Sequence, residues 1–207
     1  MARRQLLIAT RSTGKQPEIR ELLCDVPWQI VFPDEIGIHE RSEEVTIETA
    51  DSFEGNARLK AEYFARLSGL PTAAEDSGIE VMALGGLPGV RSKRFAMETD
   101  PARQDDANNA ELLRRLAGAP ETQRGARYVS VIVFLPDGSG IPHSFRGTCA
   151  GRIVVEPRGA GGFGYDPLFF SNDLGKTFGE ATREEKASVS HRGRAFRAFA
   201  EWLVGRG

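Results

Sequence analysis

Two cysteines, Cys24 and Cys149, are too few for a disulfide scaffold in a chain of 207 residues, and neither lies in the CxxC spacing of a zinc or redox site. Both read as reduced filler, which points to the cytoplasm. Long apolar runs are missing as well. The opening MetAlaArgArgGlnLeuLeuIleAla is basic and then apolar, but Thr10, Arg11 and Ser12 interrupt it too soon for a signal peptide, and no membrane span is expected. Nor is there an excess of one charge: 27 Lys and Arg stand against 29 Asp and Glu, a net charge of −2. That balance gives no general attraction to nucleic acid, so any phosphate binding must come from local Lys and Arg placement. Internal repeats, low-complexity tracts and linkers are absent. What is present, 40% hydrophobic and 27% charged residues, describes one globular domain over 1–207, with a core large enough for two lobes on one sheet.

The pattern of apolar residues predicts α/β architecture with a mixed sheet flanked by helices. GlnLeuLeuIleAla at 5–9 reads as a buried strand, followed by a polar loop at 10–15 and a helix through Ile19, Leu22 and Leu23 that tolerates Pro17 in its first turn. A second strand is expected at 28–32 and a helix from Ser52 to about Leu67, stopped by Gly69 and Pro71. The segments around GluAspSerGly, 75–78, read as two extended pieces joined at a bend, with Glu75 and Asp76 at an exposed turn. A helix through Ala107 to Leu116, a strand at 127–135, a turn at 136–140 and a returning strand near 144–150 that continues to 156 come next. A resumed strand at 168–170 and a last helix carrying Ala195, Phe196, Phe199 and Leu203 complete the pattern.

Four segments are poor packing material and good material for a phosphorylated ligand. ThrArgSerThrGlyLys, 10–15, is not a Walker A motif, since Ala9 and Gln16 stand where Gly and Ser or Thr are required. Hydroxyls, a flexible Gly and a Lys at a helix start can nonetheless hold a triphosphate, although an ordinary solvated strand-to-helix turn has the same composition. At 75–76 two carboxylates adjoin, and on an extended chain only one of them faces a given site. Glu48 could join that one in a Mg²⁺ site, because magnesium takes one or two protein carboxylates and completes its shell with water and phosphate oxygens. A plain Asx turn is the alternative. GlyAlaGlyGlyPheGlyTyrAspPro, 159–167, lets backbone approach a ligand; Phe163 or Tyr165 can stack on a base and Asp166 can accept from ring N–H groups. LysAlaSerValSerHisArgGly, 186–193, adds Lys186, His191 and Arg192, which could grip phosphate or the keto oxygen of a purine.

In this order, together with SerPheGluGlyAsnAlaArgLeuLysAla, the segment GluAspSerGlyIleGluValMetAlaLeuGlyGlyLeuProGlyVal and LysThrPheGlyGlu, the chain resembles the Ham1-like nucleoside triphosphate pyrophosphatases, the inosine and xanthosine triphosphate pyrophosphatase family, nearly end to end. The resemblance implies an elongated, dimeric α/β fold with the active-site cleft between two lobes. It also implies Mg²⁺-dependent hydrolysis of ITP, dITP and XTP to the monophosphate and pyrophosphate. Carried over by position, Thr10, Arg11, Ser12, Thr13, Gly14 and Lys15 hold the triphosphate, and Lys60 and Ser77 lie beside the phosphates. Glu48 and Asp76 bind the metal, with Asp76 also activating water, while Phe163, Gly164, Tyr165, Asp166, Lys186, His191 and Arg192 form the purine pocket. Two positions depart from the family: Ser12 where Asn is usual, and Glu75 where Asp is usual. Those departures keep a non-catalytic nucleotide sensor in view as an alternative. A Maf-like pyrimidine triphosphate pyrophosphatase is another, against which the GlyPheGlyTyrAspPro and SerHisArg motifs argue.

Overall fold

In a computed structural model, which describes residues 4–137 and 141–205, the first apolar run forms β1 (Arg4–Ile8) and the polar loop after it opens α1 (Lys15–Leu22). β1 pairs in parallel with β2 (Trp28–Val31) and with β3 (Thr72–Val81). Between β2 and β3 runs α2 (Phe53–Ser68), whose N-cap Ser52 accepts from the Gly55 N–H and whose stop is Gly69 at φ +67°. α3 (Gln104–Arg115) precedes β4 (Gly125–Leu135) and β5 (His143–Ile153). The short β6 (Phe169–Ser171) and β7 (Lys176–Thr177) follow, then α4 (Arg183–Val189) and α5 (His191–Gly205). All seven strands form one mixed sheet in the order β2-β1-β3-β4-β5-β6-β7, with β5, β6 and β7 antiparallel in turn.

The chain divides into two compact units: 1–76 with 130–147 and 194–207, and 77–129 with 148–193. In the first, β1 is apolar and buried from Leu6 to Ile8, where both of its faces are covered. Leu6 and Ile8 pack with Ile19 of α1 and Phe196 and Phe199 of α5, whereas Leu7 and Ala9 pack with Ala57, Ala61 and Phe64 of α2. The same alternation continues across the sheet: Ala73, Ile132 and Phe134 belong to the α1/α5 side, Ala74, Val133 and Leu135 to the α2 side. Trp28 and Trp202 are partly buried against the α1/α5 side. The second unit is built on Ile79, Val81, Leu112, Tyr128, Ile153, Phe169 and Phe178.

Several expectations are corrected. β3 runs unbroken through 75–78, and Glu75 and Asp76 are 3% and 7% exposed, so there is no exposed turn. Gly78 does not bend the strand because its neighbours alternate between two covered faces. The strand expected to reach 156 ends at Ile153. Both cysteines are free, Cys24 exposed and Cys149 buried. Of the turn expected at 136–140, residues 138–140 lie outside the described residues. α4 and β7 were not anticipated. α4 is too short for an apolar period and is set by its capping box, Thr182 with Glu185. Among the described residues no helix is long and apolar enough to cross a membrane.

Candidate active site

Strand alternation decides what surrounds the two adjacent carboxylates. Asp76 follows Ala74 on the α2 side, and there α2 presents Asn56 and, one turn later, Lys60. Asn56 Nδ2 donates to Asp76 Oδ2 at 3.1 Å, while its Oδ1 accepts from the Ala50 N–H at 2.8 Å, so the amide is locked at both ends. The Lys60 ammonium donates to Glu48 Oε1 at 2.7 Å and to the Glu75 carbonyl at 2.8 Å, and lies 3.8 Å from Asp76 Oδ1. Glu48 and Asp76 therefore converge on one cation from separate segments. Burial works against the Lys60 charge, but Glu48 and Asp76 outweigh it and raise its pKa. For Asp76 burial is the dominant influence and pushes its carboxyl above the usual carboxylate range. Glu48 adds to that rise, whereas Lys60, Lys15 and the Asn56 hydrogen bond oppose it.

Glu75 follows Ala73 on the α1/α5 side. Its Oε1 accepts from Ser130 Oγ of β4 at 2.8 Å, and its Oε2 pairs with the Lys15 ammonium at 3.1 Å. Lys15 is the first residue of α1, so the loop at 10–15 is tied to β3 through Glu75. Within the loop the Ser12 carbonyl accepts from the Lys15 and Gln16 N–H groups at 3.0 and 3.1 Å, and Thr13 and Gly14 are exposed at its tip. The Thr10 hydroxyl accepts from the Ser12 N–H at 3.2 Å. Arg11 faces elsewhere: its guanidinium makes a two-point contact with Glu44 at 2.6 and 2.7 Å and reaches Asp34 at 2.5 Å and the Ile38 carbonyl at 3.0 Å. It anchors the loop to 34–44, so Lys15 is the cation that this loop keeps beside the carboxylates.

In the second unit the Gly-rich segment folds over Asp166. Asp166 Oδ2 accepts from the Phe163 N–H at 2.8 Å and from the Lys186 ammonium at 2.7 Å, an ion pair whose side chains are 3% and 8% exposed. A Cβ on Gly162, which has φ +74°, would lie 2.1 Å from that same oxygen, so only glycine permits this turn. The Lys186 ammonium sits 4.6 Å from the centre of the Phe163 ring and the Arg192 guanidinium 5.6 Å from it. Arg192 also donates to Ser77 Oγ at 3.3 Å. Tyr165 and His191 are structural neighbours of this group. The Tyr165 hydroxyl donates to the Ser92 carbonyl at 2.8 Å with the residue 4% exposed, and the His191 ring lies parallel to Tyr128 at 4.4 Å. Phe163 is thus the aromatic ring of the segment left partly exposed.

A family model described as the Ham1 family matches residues 6–202. The chain belongs to the Ham1 family. It is similar to the dITP/XTP pyrophosphatase of Symbiobacterium thermophilum, 47% identical over 204 residues that cover 98% of this chain and 96% of that one. It is 42% identical to the dITP/XTP pyrophosphatase of Yersinia pseudotuberculosis over 96% of this chain and 98% of the other. Among solved structures, the HAM1 protein of Coxiella burnetii superposes with a TM-score of 0.86 at 32% identity, covering 98% of this chain and 99% of that one.

Two contributions to the site of this Ham1 family protein escaped the sequence reading. Asn56 lies four residues before Lys60 on α2, and that helical spacing is a usable signal that the two share a face. Ser130, which holds Glu75, carries no comparable signal, because it lies in a strand of apolar residues far along the chain.

Proposed function

We propose that this protein, acting as one catalytic domain over 1–207, hydrolyses non-standard purine nucleoside triphosphates such as ITP, dITP and XTP to the monophosphate and pyrophosphate. The observation that carries the proposal is the convergence of Glu48 and Asp76 on a single cation, the Lys60 ammonium, beside Lys15 of the polar loop. Two carboxylates that already share one cation from separate segments offer the hard oxygen donors that suit Mg²⁺. Glu48 and Asp76 would hold that ion, which when bound would screen phosphate charge and polarise the α-phosphoryl group.

This chain's own residues supply the rest. Lys15 and Lys60 bring positive charge to the phosphates, with backbone N–H groups and hydroxyls of Thr10, Ser12 and Thr13 beside them. Asn56 fixes Oδ2 of Asp76, which leaves Oδ1 to take the proton from the attacking water. The raised pKa of Asp76 makes it a better base than an ordinary carboxylate. Pyrophosphate then departs. Phe163 offers a face to the purine, and Lys186 and Arg192 offer donors to a 6-keto oxygen. Adenine's 6-amino group would leave those donors facing a donor, at about 1–3 kcal/mol for each buried group left unsatisfied. ATP is accordingly a poor substrate. We place the protein in the cytoplasm as a homodimer that acts on free nucleotides and not on nucleic acid, in keeping with its family and its near-neutral charge.

The test is product analysis with Mg²⁺ and, separately, ITP, XTP, GTP, ATP and dTTP. Pyrophosphate from ITP and XTP, with little from ATP and dTTP, is the expected result. Orthophosphate would mean attack at the γ-phosphoryl, turnover of dTTP would move the protein to pyrimidine substrates, and tight ITP binding without product would make it a sensor.

A further inference from the structure

The Gly-rich segment that carries Phe163 is held from outside as well as from within. The Gly164 N–H donates to Asp105 Oδ2 at 2.8 Å and the Gly164 carbonyl accepts from Asn109 Nδ2 at 3.0 Å. Asp105 and Asn109 are one turn apart on α3, so a single helix face grips both polar groups of one glycine. Gly164 has φ +62°, a backbone conformation that side chains rarely adopt and that needs support from its surroundings. Internal bonds fix the neighbours: the Phe163 N–H goes to Asp166 and the Tyr165 hydroxyl to Ser92. The direction in which the Phe163 side chain leaves the segment depends on the peptides to either side of it. One of them is closed by Asp166, and the next residue is closed by α3.

Asn109 also carries a cost that stability alone does not justify. Its Oδ1 is buried and has no hydrogen-bond partner among the described residues. A buried acceptor left unsatisfied is destabilising, and an apolar residue would avoid the penalty on a helix that packs on the second core through Leu112 and Leu113. What only the amide provides is the donor to Gly164.

We infer that Asp105 and Asn109 are positioning residues, a clamp on Gly164 that sets where the Phe163 ring stands and therefore how tightly the base of the nucleotide is held. The inference rests on the proposed purine triphosphatase activity. It requires opposite behaviour from two isosteric changes. Asp105→Asn keeps an oxygen that accepts from the Gly164 N–H, whereas Asp105→Ala does not. Asn109→Asp preserves shape but replaces the donor with a carboxylate facing a carbonyl.

The experiment measures KM and kcat for ITP in wild type, Asp105→Asn, Asp105→Ala and Asn109→Asp, with hydrogen exchange followed on the peptide spanning 159–166. Asp105→Ala and Asn109→Asp are expected to raise KM about 5- to 10-fold, the loss of one good hydrogen bond, with kcat within about twofold, and to speed exchange of that peptide. Asp105→Asn is expected to match wild type in both readouts. An Asp105→Asn enzyme as impaired as Asp105→Ala, or an Asn109→Asp enzyme with unchanged KM and exchange, would overturn the clamp. Faster exchange without any change in KM would also overturn it, leaving a purely structural contact. If wild type turns over no purine triphosphate, the activity fails, and KM is replaced by the Kd for ITP, read on the same variants with the same expectations.

Discussion

Around Asp76 the side chains of Glu48, Glu75, Lys15 and Lys60 neutralise one another over short distances. Around Phe163 the setting differs. One ion pair, Lys186 with Asp166, is set among the rings of Phe163 and Phe178, and the neighbouring Tyr128 stacks on His191 and meets Phe169 edge-on at 4.7 Å. The first group can exchange partners, since an ammonium shared by two carboxylates can yield to another cation or to phosphate. The second is tied to the backbone, because Asp166 accepts from the Phe163 N–H of the segment it supports. Charge neutralisation and aromatic packing thus dominate different regions, and each unit of the chain contains one of them.

The sharpest way to separate the two regions is Asp76→Asn. Turnover of ITP should fall by about 10³-fold or more, since general-base catalysis supplies about 10²–10⁴ and the same residue is a proposed metal ligand. Stability should move the other way. A carboxyl whose folded pKa is raised contributes stability below its ordinary range and loses it as pH rises through the raised value, so ionised Asp76 opposes folding at neutral pH. At pH 7 with a chelator present, Tm of the Asn variant should equal or exceed that of wild type. A well-folded variant with near-normal turnover would remove Asp76 as the base.

Lys186→Met probes the second region and should give the opposite pattern. Removing one partner of a pair this buried strands the Asp166 charge and should cost about 3–5 kcal/mol of stability, read by denaturant unfolding. Adding Asp166→Asn should recover most of that loss, because Asn can still accept from the Phe163 N–H, yet ITP recognition should remain impaired. Recovery of both stability and KM in the double variant would show that Lys186 serves the fold and not the base.

The same contrast explains what could be read in advance. Elements of the first unit were legible because periodicity and caps agree there: β1, α1 and α2 fall where the apolar pattern and Ser52 place them. Lys15 and Glu48 were legible as candidates because they sit in polar segments, whereas Asp76 lies in a buried strand where an exposed turn was expected. Partnerships were not legible. Nothing in ThrArgSerThrGlyLys says that Arg11 belongs to Glu44 and Asp34 while Lys15 belongs to Glu75, because that choice is made by segments distant along the chain. Tyr165 and Phe163 look equally suited to stacking in GlyGlyPheGlyTyrAspPro. Only the position of the Ser92 carbonyl assigns Tyr165 to the interior.

The smallest effect expected tests how well strand alternation insulates the two faces of β3. Glu75→Asp keeps the carboxylate but shortens the side chain by one methylene beside Lys15 and Ser130. Stability should fall by about 1 kcal/mol, since the shorter carboxylate reaches its partners less well and leaves a small void. Turnover should change by less than about threefold, because successive side chains of a strand point to opposite faces and the Asp76 carboxylate is held on the α2 side by Asn56 and Lys60. A larger change in kcat would mean that Glu75 reaches the chemistry through the lysines, since Lys15 pairs with Glu75 and both Lys15 and Lys60 act on both carboxylates. In that case the two faces of β3 would be electrostatically one site, and Glu75 would set the rate of this enzyme rather than only the anchorage of its loop.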